Sequence, residues 1–276
     1  KNVREMLKIV TNQDHVEGIE ICNASTIPHE RLEHYIEYLY NKNNRNGLLH
    51  RDCIRMVKSA RNTFAACMLA CGDGDALVTG TTRGYHISLD EVRHVISNKQ
   101  NNIAFGLSMV ILGRETIFIA DSSVNEAPTA EELAKITIQA AEKMKALGYN
   151  PRAALLSFSN FGNPQAIRNE HVKGALKILD SMNLEFEYDG EMTADVAINY
   201  ELMSKLYPFS RLSKGANLLI MPALNSANIS TQLIKSLGGG MVIGPILSGL
   251  DKSVQIIPMG STVNDIINLA AFAAIE

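Results

Sequence analysis

Charge of one sign is in short supply in this 276-residue chain, where 26 Lys and Arg stand against 29 Asp and Glu for a formal net charge of −3. That balance supplies no basic field to hold nucleic acid or an anionic membrane, so a phosphate-bearing ligand has to be met by local cations. Long apolar runs are missing as well. The hydrophobic residues come in short stretches between Gly, Pro and polar clusters, none near the length that spans a bilayer. Cysteine is sparse: Cys22, Cys53, Cys67 and Cys71 make no disulfide framework in a chain of this size, which points to a soluble protein of the reducing cytoplasm. Cys67 and Cys71 lie four apart in an apolar helical run without third and fourth metal ligands, and read as core packing. Repeats and low-complexity linkers are absent. Gly72-Asp73-Gly74 is too short and wrongly placed for a dinucleotide loop, and Gly238-Gly239-Gly240 precedes a strand instead of following one. His86 and His94 have no cysteine or acid at a spacing that establishes a triad.

What is present is a rhythm of short strands and amphipathic helices. The spacing predicts helices over 31–40, with Leu32, Tyr35, Ile36 and Leu39 on one face, and over 51–69. A strand at 76–80 precedes a helix at 88–96, capped by Ser88 with Glu91 three residues on. A buried strand at 117–121 leads to a long helix opened by a capping box of Thr129 and Glu132 and stopped by Gly148. The pattern then restarts, with strands at 153–157, near 195–198 and at 217–222, and helices at 165–182 and 226–237. Strands separated by helices of ten or more residues make parallel βαβ units, so the expected class is α/β, a three-layer helix–sheet–helix sandwich.

In such sheets ligands sit beyond the carboxyl ends of strands. Four strand exits carry chemistry. Ser157, Ser159 and Asn160 put two hydroxyls and an amide on one of them, where the alternative is a loop satisfying its own backbone. Asn225 or Ser226 can cap the helix after the 217–222 strand, which leaves Asn228 unexplained by capping. Asp189, Glu191 and Asp195 put three carboxylates in seven positions, without the further oxygens a hard cation wants. Arg83 precedes the helix after the 76–80 strand and Arg93 lies one turn into it, and an arginine fork suits phosphate, although a lone Arg is more often a solvated helix-face residue.

The segment from Gly238 to Ile266 says most. It reads as two short buried strands and a turn into a last helix, running to Ala274, that Ser261 or Thr262 can cap, with backbone N–H groups open to phosphate and Asp265 in the first turn. This segment resembles the closing motif of the phosphotransacetylase (phosphate acetyltransferase) family, in particular the version fused to the C-terminal end of bacterial NADP-dependent malic enzymes. In the stand-alone transacetylases a Ser-Arg pair precedes the glycine of the turn; here Pro258-Met259 stands there, while the acid is kept as Asp265. The Leu-Ser-aromatic-Ser run at 156–159, the Pro-Leu-Asn-Asn spacing at 222–228 and the Asp-Gly-Glu at 189–191 match the family too, and Arg93 matches an arginine of its site.

The resemblance implies an isocitrate/isopropylmalate dehydrogenase-like fold of phosphotransacetylase type, with two lobes around a cleft. The break in rhythm near Gly148 and the family's build place one lobe at 1–148 with 261–276 and the other at 149–260. It further implies an acyl-CoA and phosphate site of Arg93, Ser157, Ser159, Asn160, Asn225, Asn228 and Ser261, in which Asp265 would take the CoA thiol's proton. Without the serine hydroxyl and the guanidinium that steady developing charge, the implied domain binds acetyl-CoA or CoA and turns it over poorly, acting as a regulatory and oligomerising module, at least a dimer. NADP and a divalent metal would then belong to an N-terminal malic enzyme domain, with no cofactor or metal of its own here. The family's opening strand is not found ahead of the first helical pattern, which suits a part of a longer polypeptide. The alternatives are a working phosphate acetyl- or butyryltransferase and a bare assembly scaffold.

Overall fold

The computed structural model describes residues 18–164, 170–238 and 240–275. The expectation of a missing opening strand, and the start of the helix expected at 165–182, fall outside them.

The first described helix, α1 (His29–Asn43), buries Leu32, Tyr35, Ile36 and Leu39, the face its spacing predicts. The single helix expected at 51–69 is two, α2 (His50–Ser59) and α3 (Arg61–Ala70), because Ala60 adopts an extended conformation (φ −100°, ψ 108°) that breaks the ladder. After β1 (Leu77–Gly80) comes α4 (Tyr85–Arg93), which begins three residues before the expected cap: Gly84 is its N-cap, and Ser88 is buried inside it with its hydroxyl unpaired. Glu91 pairs with Arg83 instead of closing a capping box. These elements enclose one core, into which β8 (Val254–Ile257) sends Val254 and Ile256. Cys53 and Cys67 lie within it, and burial pushes the Cys67 thiol up to about 12, so it packs as an inert apolar group. Asp73, in the failed glycine motif, is taken by Arg31 and Tyr35 of α1.

Among the described residues β1 and β8 pair as a parallel two-stranded sheet, and a second sheet holds six strands in the order β5-β4-β6-β3-β2-β7. Its central members are β3 (Glu115–Ala120), β4 (Arg152–Leu156) and β6 (Leu218–Ile220), all parallel, with β5 (Glu187–Met192) beside β4. An all-parallel sheet does not form. β2 (Phe105–Leu112), which the rhythm above leaves out, makes a hairpin with β3 through Gly113 and Arg114 and runs antiparallel to both β3 and β7 (Met241–Ser248). The strand expected near 195–198 is helix α7 (Ala194–Ile198); the real strand, β5, lies just upstream and carries Asp189 and Glu191 in its interior.

Period-two alternation sends side chains to two opposite layers. Phe118, Ala120, Ala153, Leu155, Leu218 and Ile220 pack against α5 (Ala130–Ala146) and α6 (Glu170–Asp180). Ile117, Ile119, Ala154, Leu156 and Leu219 pack against α7, α8 (Tyr200–Leu206) and α9 (Leu224–Leu237). The expected helix–sheet–helix sandwich is thus formed. The Thr129 and Glu132 capping box opens α5 as expected. Strands from both sides of Gly148 share the six-stranded sheet, so Gly148 ends a helix without dividing that sheet. The last helix, α10 (Val263–Ala274), packs on β1, β7 and β8. No helix of the described residues is long and apolar enough to cross a membrane.

Candidate functional site

β1, β3, β6 and β8 deliver their carboxyl ends to one cleft of about 780 Å³. From beyond β1 come Tyr85 and His86 at the start of α4, and from beyond β3 come Ser122 and Ser123. α9 turns Asn225, Asn228, Gln232 and Lys235 toward it, a spacing of three and four residues that keeps them on one helical stripe. The turn between β8 and α10 adds Pro258, Met259, Gly260 and Ser261, and β7 adds Gly244 and Pro245.

Asp121 fixes one wall. It is 3 % exposed, and its carboxylate accepts five hydrogen bonds, from the backbone N–H groups of Gly106, Ser123, Val124 and Asn125 and from the Asn125 amide, at 2.6–3.2 Å. Burial pushes its pKa up, against the pull of the N–H groups around it. The loop so held aims Ser123 Oγ at the Tyr85 hydroxyl (3.1 Å) and lets Ser122 Oγ accept from Ser108 Oγ (2.9 Å). Gly106 makes that approach possible, since a Cβ there would stand 2.0 Å from Ser123 Oγ. Burial raises the Tyr85 pKa, so this group meets the cleft as a neutral hydroxyl. The sequence reading missed Tyr85, Ser108, Ser122, Ser123 and Lys235. The strand-exit rule, applied to the 117–121 strand, reaches Ser122 and Ser123.

Past Ser261, Thr262 and Asp265 lie outside the residues that line the cleft; Thr262 is the N-cap of α10, with a full capping box. Its Oγ1 accepts from Asp265 N (3.2 Å), while Asp265 Oδ2 accepts from Thr262 N (2.8 Å) and Thr262 Oγ1 (3.0 Å). One N–H expected to face phosphate is therefore taken by the chain's own carboxylate. Lys235 Nζ of α9 lies 3.4 Å from the same oxygen. Partial burial pushes the Asp265 pKa up, but the Thr262 N–H and hydroxyl and the Lys235 ammonium outweigh it and hold the carboxyl below its ordinary value. A carboxylate held so is a weak base toward a thiol. Beside it Pro258 offers no N–H or hydroxyl, and Met259 is 62 % exposed and uncharged.

Of the residues expected at the site, the cleft gathers Asn225, Asn228 and Ser261, with Pro258 and Met259 at the altered pair. Asn225 and Ser226 do not cap α9: the helix starts at Leu224 with Ala223 as N-cap, and both lie within its first turn. Arg93 stands exposed at the end of α4, outside the lining. Ser157, Ser159 and Asn160 are also outside it, in a loop tied to β5. Ser159 Oγ donates to the buried Glu191 (2.8 Å), Gly162 N to the same oxygen (3.0 Å), and Asn160 Oδ1 accepts from Thr193 N (2.8 Å). Asp189 is likewise absorbed, by Ser210 Oγ (2.9 Å) and Arg211 N (2.8 Å), and neither it nor Glu191 lines the cleft. Among the described residues no group of three or more His, Cys, Asp and Glu is placed to hold a metal ion.

A family model described as phosphate acetyl/butaryl transferase matches residues 1–274. The chain belongs to that family. It is 49 % identical to the NADP-dependent malic enzyme of Rhizobium meliloti (strain 1021), over 93 % of this chain and 33 % of that enzyme. It is 30 % identical to the phosphate acetyltransferase of Bacillus subtilis (strain 168), over 94 % of this chain and 79 % of that protein. A phosphotransacetylase structure from Streptococcus pyogenes superposes with a TM-score of 0.88 at 28 % identity, over 99 % of this chain and 82 % of that one. The chain spans about a third of the length of the malic enzymes it matches. It is a phosphotransacetylase-like domain of the kind those malic enzymes carry.

Proposed function

We propose that this domain binds acetyl-CoA or a related CoA thioester in the cleft between α9 and the β8–α10 turn without turning it over, and that occupancy regulates malate oxidation by an NADP-dependent malic enzyme domain in the same polypeptide. The observation that carries the reading is the composition of the turn beside Asp265. Pro258 and Met259 take the places at which the family's serine and arginine act on developing negative charge, and Asp265 is engaged as a helix cap and ion-pair partner. Losing one oriented donor of that kind costs on the order of a hundredfold in rate. The cleft itself is open, and its volume lies in the usual range for small-ligand sites.

Pairing with a second copy of the chain is part of the proposal. Ile229, Leu233 and Leu237 follow one stripe of α9 and are 53–82 % exposed, and Val263 and Ile267 of α10 add 71 % and 58 % exposed side chains. A transacetylase-type dimer is the occupant that would cover them. NADP and a divalent metal are assigned to the malic enzyme domain, and a cytoplasmic setting goes with those substrates.

The test is acetyl-CoA binding by the 276-residue chain, read as a rise in melting temperature, together with malate-dependent NADP reduction by the full-length enzyme with and without acetyl-CoA. A rise in the first and a change of rate in the second are expected; no effect in either ends the proposal. A second reading, an active phosphate acetyltransferase, is favoured by Lys235, a cation standing next to Asp265 where the family's arginine is missing. Sustained acetyl phosphate formation from acetyl-CoA and phosphate would establish it.

A further inference from the structure

Among the described residues that line the cleft, Lys235 is the sole lysine or arginine. The other charged or titratable groups there are Glu126, His86 and Tyr85. With a net charge of −3 the chain draws no anion from a distance, so one entering this cleft is met by what the walls carry. Lys235 projects from α9 on the same stripe as Asn225, Asn228 and Gln232, and its side chain stays 46 % exposed while its partner Asp265 is 17 % exposed. The ion pair is dispensable for the cap. Asp265 Oδ2 already accepts from the Thr262 N–H at 2.8 Å and its hydroxyl at 3.0 Å, against 3.4 Å for the ammonium. An ammonium has three donors, and one placed on Asp265 leaves two for a ligand.

We propose that Lys235 is the anion-recognising residue of the cleft, its ammonium shared between Asp265 and a phosphate-type group of the bound molecule. The inference rests on the CoA-thioester reading above and adds to it a cation contributed by α9 in place of one at position 259. Asp265 thereby becomes a competitor for Lys235. Removing its charge frees the ammonium and withdraws a repelling neighbour, so the two partners of one ion pair have opposite effects on binding. A pair that merely fastened α9 to α10 would act with the same sign from either side.

The experiment is isothermal calorimetry at low ionic strength on the 276-residue chain and on Lys235→Gln, Lys235→Arg, Asp265→Asn and the Lys235→Gln/Asp265→Asn double variant, with melting temperatures as the control for folding. The probes are acetyl-CoA, S-acetylpantetheine, which lacks phosphate, and inorganic phosphate. Lys235→Gln should weaken acetyl-CoA binding by about tenfold or more, the worth of a charge-assisted hydrogen bond. Lys235→Arg should keep most of the affinity, and Asp265→Asn should raise it by a few-fold, a gain that vanishes in the double variant. S-acetylpantetheine should not distinguish the chain from Lys235→Gln. If inorganic phosphate binds and loses its binding in Lys235→Gln, the recognised group is a free phosphate; if only acetyl-CoA depends on Lys235, it is a phosphate of CoA. Equal acetyl-CoA affinity in the chain and Lys235→Gln overturns the inference and leaves the CoA-thioester reading standing, as does a loss of affinity in Asp265→Asn equal to that in Lys235→Gln. Absence of binding to all three probes by the unsubstituted chain overturns both.

Discussion

Two strand exits of this domain carry similar polar residues and do different things with them. Beyond β4, Ser157, Ser159 and Asn160 face β5, and their bonds run to Glu191 and Thr193. Beyond β3 and β8, Ser122, Ser123 and Ser261 meet the start of α4 and the polar stripe of α9, and a cleft stays open between them. The difference is one of neighbourhood. β4 and β5 are adjacent and parallel in one sheet, so their exits lie side by side and close on each other. The exits of β3 and β8 belong to different sheets and are held apart by the α9 and β7 walls. Hydroxyls and amides at a strand exit become a binding surface when the facing exit is too far away to satisfy them.

The comparison can be pressed first at the altered turn. Pro258→Ser with Met259→Arg restores the two family groups on the open side, and any trace of transacetylase activity should rise by on the order of a hundredfold in a coupled acetyl phosphate assay. No gain would mean that the site departs from the family's in more places than this pair. Next in size, Asp121→Ala removes the acceptor of five hydrogen bonds at 3 % exposure. Unpaired buried donors cost roughly 1–3 kcal/mol each, so chemical denaturation should report a loss of about 3 kcal/mol or more. Ser159→Ala, on the closed side, loses one bond to Glu191 and should cost about 1–2 kcal/mol with acetyl-CoA affinity unchanged. A large fall in affinity would return that loop to the binding surface.

The smallest effects separate two capping boxes. Thr129→Ala and Thr262→Ala should each cost about 1 kcal/mol, but only the second should alter ligand binding, since Thr262 N and Oγ1 hold Asp265. The Thr262 box also carries a pH dependence on the acid side. The Asp265 carboxyl is held below its ordinary value of 3.8, so its contribution is complete above that value and is lost as pH falls through the lower folded one. The stability gap between the chain and Asp265→Asn should therefore narrow below about pH 4 in acid titrations followed by circular dichroism.

Local signals in the sequence survive in the fold wherever the structure depends on near neighbours. The capping box at Thr129 and Glu132, the apolar face of α1 and the turn that brings Asp265 into the first turn of α10 are all of this kind. β2 escapes because Phe105–Leu112 is a nearly continuous apolar run, buried on both faces, whose period distinguishes neither strand nor helix. β5 escapes because Asp189 and Glu191 make it look like a loop, and the partners that let them be buried, Arg211, Ser210 and Ser159, lie 21 to 32 residues away in sequence and are close only in space. The same holds at the site. Asn225, Asn228 and Ser261 are legible from their strand exits and from the family likeness, whereas Lys235 reaches Asp265 across 30 residues through the tertiary fold, which no spacing encodes.

The central claim is a cleft that holds a CoA thioester and leaves it intact. Titrating acetyl-CoA into the 276-residue chain in phosphate buffer, in one calorimeter cell, reads binding and turnover together. The account predicts a saturable isotherm in which every injection returns to baseline. Sustained heat after each injection would mean a reacting enzyme, and no heat above dilution, with no acetyl-CoA-dependent rise in melting temperature, would mean no site.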